Sequence, residues 1–435
     1  MITKKCIINE GITPLRLRKS STAFEGITPL PLRKSSTAYE GYNSWNCGRY
    51  PFILLAPCNA GSSFVWNEEV GGKRMSQNTA VTATQARKKL ASRFLKKGLF
   101  IATLSGMFYG FYTAFITLAM SRGVWEDWYG QNLALLSAFT VTYVIGAIGS
   151  GINYSLSAIW SIGICGVRGK LRDVTRSLKT KPGRILVVAA LVGGPISTTA
   201  YVVALQLAGS IAIPIAALCP AIGAILSRIF YKQKLNLRMM CGILICLIAS
   251  VLIAMQGLEV DAAPQMFLGI MIMLIAAFGW GFEGCVAGNA TAFVDYEVGI
   301  VIRQVTSGLS ALLILVPIMA LFGGNVGEAF VLMGRAITDM GSFPIFIISA
   351  FFTVYTFSLW YKGNSMCGTA LGMAANGTFS FWAPLACWIL LGVIMGMDGW
   401  AMPPIAWFAA VLMFVGILFI AVNPLKLFKG NEEVA

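Results

Sequence analysis

From Gly98 to Asn423 apolar residues run in long stretches separated by short polar loops. Ten stretches reach the roughly 20 residues that a helix needs to cross a hydrocarbon core about 30 Å thick. They are Gly98–Met120, Leu133–Asn153, Ile185–Leu207, Ser210–Phe230, Met239–Gln256, Met266–Ala290, Gly299–Phe322, Phe343–Tyr361, Cys367–Leu391 and Met402–Val422. None shows the alternating polarity, in segments of about ten residues, of a membrane β-barrel. The pattern predicts an all-α integral membrane protein with ten transmembrane helices, since a helix satisfies its own backbone groups where water is absent. The stretch from Leu133 stays apolar to Cys165, which predicts one long tilted helix or a span with an interfacial extension. Splitting it would put the cationic loop that follows on the opposite side.

Charge adds sidedness. Charged residues make up 12% of the chain, about half the share in a soluble domain, and the net charge is +15. Arg87–Lys97 holds six cations, Arg168–Arg184 seven and Arg228–Arg238 four, which together are 17 of the 33 Lys and Arg. The loops between carry Arg122 beside Glu126 and Asp127, then Glu259 and Asp261, then Arg335 between Glu328 and Asp339. This is the positive-inside pattern, and it predicts an inner, cytoplasmic cell membrane protein with both termini cytoplasmic. It argues for lipid headgroups and against nucleic acid as the partner of the cations. There is no histidine, which removes Ser-His-Asp and Cys-His catalysis. No G-x-x-x-x-G-K-[ST] run occurs, so the chain offers no phosphate loop for ATP. Cys219, Cys241, Cys246, Cys285 and Cys387 lie inside spans and are expected as small packing residues.

Residues 10–24, EGITPLRLRKSSTAF, recur at 25–39 as EGITPLPLRKSSTAY. A tandem copy this short is no solenoid. Residues 1–74 are expected to be a disordered or mis-annotated leader, with the protein beginning at Met75. The remainder divides into a cytoplasmic basic segment (75–97), a first set of five spans (98–256), a second set (265–423) and a cytoplasmic tail (424–435).

The two sets share landmarks. Phe108-Tyr109-Gly110-Phe111 lines up with Gly279-Trp280-Gly281-Phe282, and Thr199-x-Tyr201 with Thr353-x-Tyr355. Pro220 follows Gly209 by 11 residues, as Pro384 follows Gly372 by 12. Five is odd, so the second set would insert upside down, giving two inverted five-helix repeats. Secondary transporters use such repeats and bind solute near the midplane where they meet.

With these landmarks the chain resembles the drug/metabolite transporter superfamily, in particular its ten-helix EamA-like members, over Gly98–Asn423. The resemblance implies a secondary active transporter, with export as the expected direction, that moves a small organic metabolite by alternating access. It implies no enzyme activity and no cofactor. The alternatives are a membrane-embedded enzyme and a channel. Where these transporters commonly place an acid after the fourth span, this chain has Gln233. The loop Gly323–Gly341 is also longer than usual.

Glu283, inside the sixth span, is the sharpest candidate residue, because an ionised carboxylate in lipid must find a cation, a cavity or a proton. Arg303 lies at a similar depth. The two are expected either as a structural pair or as the coupling or gating element, with a proton as candidate coupling ion. Tyr112, Thr199, Tyr201, Trp280, Tyr355, Asn376, Thr378 and Trp382 are candidates for contact with the small-molecule substrate, as polar-tipped aromatics and hydroxyls in corresponding spans. Each could equally serve packing. Gly106-x-x-x-Gly110 and Gly284-x-x-x-Gly288 predict close helix contacts. A homodimer is a further candidate assembly.

Overall fold

The computed structural model describes residues 77–130, 136–232, 237–256, 264–291, 293–324 and 326–421, all within one compact unit. The leader, Met75, Gln233, Glu259, Asp261 and the tail after Ala421 lie outside them. The described residues contain helices and no strand. In chain order the helices are α1 (Gln77–Ala119), α2 (Val124–Tyr129), α3 (Ile145–Val167), α4 (Leu171–Leu178), α5 (Lys181–Leu191), α6 (Ser197–Ala208), α7 (Ile213–Ala216), α8 (Cys219–Tyr231) and α9 (Leu237–Gln256). They continue with α10 (Pro264–Ala290), α11 (Tyr296–Ser310), α12 (Val316–Gly323), α13 (Val326–Thr338), α14 (Phe343–Cys367), α15 (Thr369–Asn376), α16 (Phe379–Cys387) and α17 (Pro404–Ala421).

Seven helical stretches among the described residues are long and apolar enough to cross a membrane: Arg93–Ala119, Lys181–Ala208, Ile213–Phe230, Pro264–Ala290, Tyr296–Gly323, Phe343–Cys367 and Gly372–Ile394. Leu237–Leu252 and Pro404–Phe419 are shorter apolar helices. The stretch from Leu133 is displaced from its expected bounds. A π-helical turn at Thr140–Val144 leads directly into α3, which runs without a break to Val167. A long helix is one of the two forms that the apolar run to Cys165 predicts, beyond the Asn153 bound of the minimal span. Its buried face, with Gly146, Gly149, Ser150, Gly151, Asn153 and Ser157, is small and polar because it packs inside the bundle.

Local chemistry sets the irregularities. Thr180 caps α5 by accepting from the Gly183 N–H, and Pro182 occupies the first turn, where its missing N–H costs nothing. Between α5 and α6, Pro195 sits inside a π-helical turn, Val192–Ile196. Proline cannot donate to the helix ladder, and the Ala190 carbonyl five residues before it accepts from Ser307 Oγ at 3.3 Å. Ser197 Oγ donates to the Val192 carbonyl (2.7 Å) and Trp280 Nε1 to the Gly193 carbonyl (2.9 Å). Two further stretches are interrupted: α7 gives way to α8 at Ala217-Leu218, and α15 to α16 at Gly377-Thr378.

Long-range packing is ordered. Helix α1 lies along α14, and α10 along α6; α1 also packs on α16, and α10 on α8. Helix α3 packs along α11, α14 on α3, α5 on α11, and α9 along α17. Outward faces carry Leu247, Val251, Ile275, Phe278, Leu313 and Phe322, whose exposure is the ordinary condition of a surface bathed in lipid. The cationic helix α4 buries no residue.

Candidate functional site

Two adjoining clusters occupy the middle of the bundle. The first is aromatic. Tyr109 of α1 stacks on Phe379 of α16 (centroids 4.4 Å apart) and meets Tyr112, Tyr201 of α6 and Trp280 of α10 edge-on at 5.3, 5.6 and 5.8 Å. Tyr201 and Trp280 are 5.1 Å apart. The Tyr201 hydroxyl shares a 2.8 Å hydrogen bond with Thr113. The hydroxyls of Tyr109 and Tyr112 are buried, with no hydrogen-bond partner in the structure.

The second cluster is ionic. The Arg303 guanidinium grips the Glu283 carboxylate with Nε to Oε1 at 2.5 Å and Nη2 to Oε2 at 2.9 Å. Both side chains are 0% exposed. The Tyr361 hydroxyl of α14 donates to Oε1 at 3.0 Å, and Arg303 Nη1 donates to Gln304 Oε1 at 3.2 Å. The guanidinium lies 3.4 Å from the Phe357 ring centroid and 5.3 Å from that of Tyr154, so its faces are covered by π-systems that favour a cation. The Gln304 Nε2 is buried without a partner. Gly193 joins the two clusters. Its carbonyl accepts from Trp280, and its Cα rests against Glu283 so closely that a Cβ would overlap the carboxylate.

Only some of the sequence candidates come together. Tyr112, Tyr201 and Trp280 come together, and Glu283 meets Arg303. Asn376 and Thr378 sit at the α15–α16 break, where Asn376 Oδ1 accepts from Ser105 (2.6 Å) and Thr378 Oγ1 donates to the Ala375 carbonyl (2.8 Å). Thr199 bonds instead to Ser150 of α3 (2.7 Å). Tyr355 lies in a separate aromatic group with Phe108 and Phe351 (5.9 and 4.7 Å), and Trp382 packs on Phe381. Sequence reading missed Tyr361, Gln304 and Phe379. It also passed over the Gly193-Gly194-Pro195 run, whose composition signals a break inside an apolar stretch.

The bundle's two ends are held differently. At one, Arg168 pairs with Glu297, and Lys170 Nζ reaches Asp295 at 3.0 Å and Glu297 at 2.9 Å. At the other, Trp125 Nε1 donates to Ser342 Oγ at 3.0 Å and the Val124 N–H to Asp339 at 3.4 Å.

These features define an all-helical protein with several helices able to cross a membrane. No family model matches the chain. No curated protein matches it either. A solved structure described only as a crystal structure of a protein is similar over 76% of this chain and 98% of its own, at 21% identity and a TM-score of 0.41.

Proposed function

We propose that the chain is a secondary active transporter of the inner cell membrane, with ten spans arranged as two inverted five-helix repeats. It moves a small organic metabolite, outward, by alternating access, as its resemblance to EamA-like transporters implies. The observation that carries this reading is an exchange in the packing. Matching α1 with α10, α3 with α11, α5–α6 with α14, α7–α8 with α15–α16 and α9 with α17 exchanges the main contacts in pairs and leaves α3–α11 and α9–α17 unchanged. The α1–α14 contact becomes α10–α6, α1–α16 becomes α10–α8, and α14–α3 becomes α5–α11.

Finer details follow the same rule. Tyr109 and Trp280, aligned by their flanking glycines, meet in one cluster. A Cβ at Gly110 would meet the Trp382–Ala383 backbone of α16, and one at Gly281 the Cys219 carbonyl of α8. Each set has a helix broken by a two-residue turn, α7–α8 and α15–α16, and discontinuous helices in corresponding positions mark the solute site of such transporters. The loop contacts support ten crossings: the loop before α3 touches the end of α12, and the loop after α3 touches the start of α11. Odd-numbered loops meet odd ones and even meet even, and the cations of Arg168–Arg184 put the even side in the cytoplasm.

On this reading the aromatic cluster receives the solute, and Glu283 with Arg303 couples its movement to a proton. Proteoliposomes preloaded with a metabolite mixture and offered single labelled solutes should show saturable counterflow. Flux that never saturates would indicate a channel, and chemical conversion of lipid an enzyme. Glu283→Gln should abolish accumulation driven by a proton gradient while leaving counterflow in place.

A further inference from the structure

We infer that Arg303 is an anion subsite, which takes the carboxylate of the solute in exchange for Glu283 when Glu283 receives a proton. The inference deepens the transport reading and rests on it. Of the two buried partners, only the carboxylate can change its charge here, since guanidinium stays protonated in proteins. When Glu283 is protonated, its charge-assisted bonds from Nε and Nη2 are lost, and the fork faces no anion. A carboxylate fits that fork in the same bidentate geometry. The exchange balances: one solute anion and one proton occupy the site together and cross in the same direction, so the outward gradient of the solute itself drives export, and the site keeps its net charge.

Two independent features point to a ligand here. Gln304 is fixed to the guanidinium through Oε1 and leaves Nε2 buried and unpartnered beside it, a donor with no acceptor. The pair also shares a wall with the aromatic cluster, because Trp280 and Glu283 lie one turn apart on α10 and both rest on Gly193. A solute with a carboxylate at one end and an apolar or aromatic body would span both. Around Glu283 the other elements bring no competing charge. Helix α11 brings Arg303, α14 brings Tyr361, α3 brings Tyr154 across the guanidinium, and the π-turn brings Gly193. With Tyr361 still bonded to it, the protonated Glu283 keeps a partner.

The test uses purified full-length chain and three probes with one body and different heads: phenylacetate, phenethylamine and 2-phenylethanol. Titration calorimetry in buffers of different ionisation enthalpy counts protons, and tryptophan fluorescence follows binding. Phenylacetate should bind with uptake of about one proton and weaken about tenfold per pH unit wherever free Glu283 is ionised. Glu283→Gln should bind it without proton uptake and without that pH slope. Arg303→Gln should lose at least about tenfold in affinity. Gln304→Leu, which removes the Nε2 donor and the Nη1 acceptor but keeps both bonds between Arg303 and Glu283, should lose several-fold and covers a failure of Arg303→Gln to fold. Equal or tighter binding of phenethylamine or 2-phenylethanol, binding without proton uptake, or no binding of phenylacetate overturns the inference. Failure of these with counterflow intact leaves the transport reading standing. Carboxylate binding without counterflow removes that reading instead.

Discussion

At the scale of single residues the decisive contact is Glu283 with Arg303, and its energetics turn on how it is broken. Removing one partner of a buried pair strands the other charge, which costs about 3–5 kcal/mol, whereas replacing both by apolar groups of similar volume is often neutral. Glu283→Leu alone should therefore lower the temperature at which the detergent-solubilised protein loses its monodisperse peak, and Glu283→Leu with Arg303→Met should recover most of the loss. A pair of independent, additive effects would contradict this account. Gly193 gives a second residue-level expectation. A methyl group there overlaps the Glu283 carboxylate, so Gly193→Ala should destabilise by about 1–3 kcal/mol, as overpacking generally does. Gly163 on the outer face of α3 has nothing within 4 Å of its would-be Cβ. Gly163→Ala should be neutral or stabilise by up to about 1 kcal/mol in the same thermal assay.

Among elements, the two ends of the bundle differ in chemistry, and so should their response to salt. Arg168, 53% exposed, with Lys170 and Asp295 ties the segment after α3 to the start of α11 around the buried carboxylate of Glu297. Such pairs are screened within about 10 Å at ordinary ionic strength. The opposite end relies on Trp125, buried against Phe346 at 5.4 Å, and its neutral bond to Ser342. Glu297→Gln removes the acceptor shared by both cations. It should raise maleimide labelling of a cysteine placed at Lys362 several-fold and blunt the effect of added salt on that labelling. Unchanged labelling would show that this cluster does not hold the end closed. The elements themselves were legible to different degrees. Each apolar stretch holds a helix, since length and hydropathy suffice for that. Their interruptions are harder to read: Pro384 stands out, but Pro195 is passed over, and the donor to the Ala190 carbonyl before it is Ser307, 112 residues further along the chain from Pro195. Helix α13 was read as a loop because its charged residues mask an apolar spacing at Ala329, Leu332 and Ala336, which the structure buries.

For the whole molecule, parity is the property to test. In a cysteine-free background, Lys179→Cys and Met340→Cys, both exposed, should label with membrane-impermeant maleimide from opposite sides of sealed vesicles. Labelling from one side would refute ten crossings. The arrangement of the candidate site was only half legible. Tyr112, Tyr201 and Trp280 could be nominated from polar-tipped aromatics in matching spans, yet the same rule nominated Tyr355, which packs elsewhere. Alignment gives a residue's depth in the bundle but not its rotation about the helix axis. The packing that brings α1 against α14 also has a consequence for how the protein is made. Ala119 and Phe343 are separated by more than 200 residues. At about 5–20 residues per second, α1 waits roughly 10–45 s for its main neighbour to be synthesised. Its Gly106 and Gly110 face waits longer still, for α15 and α16, so early biogenesis has to shelter a groove that the finished protein closes with its own second half.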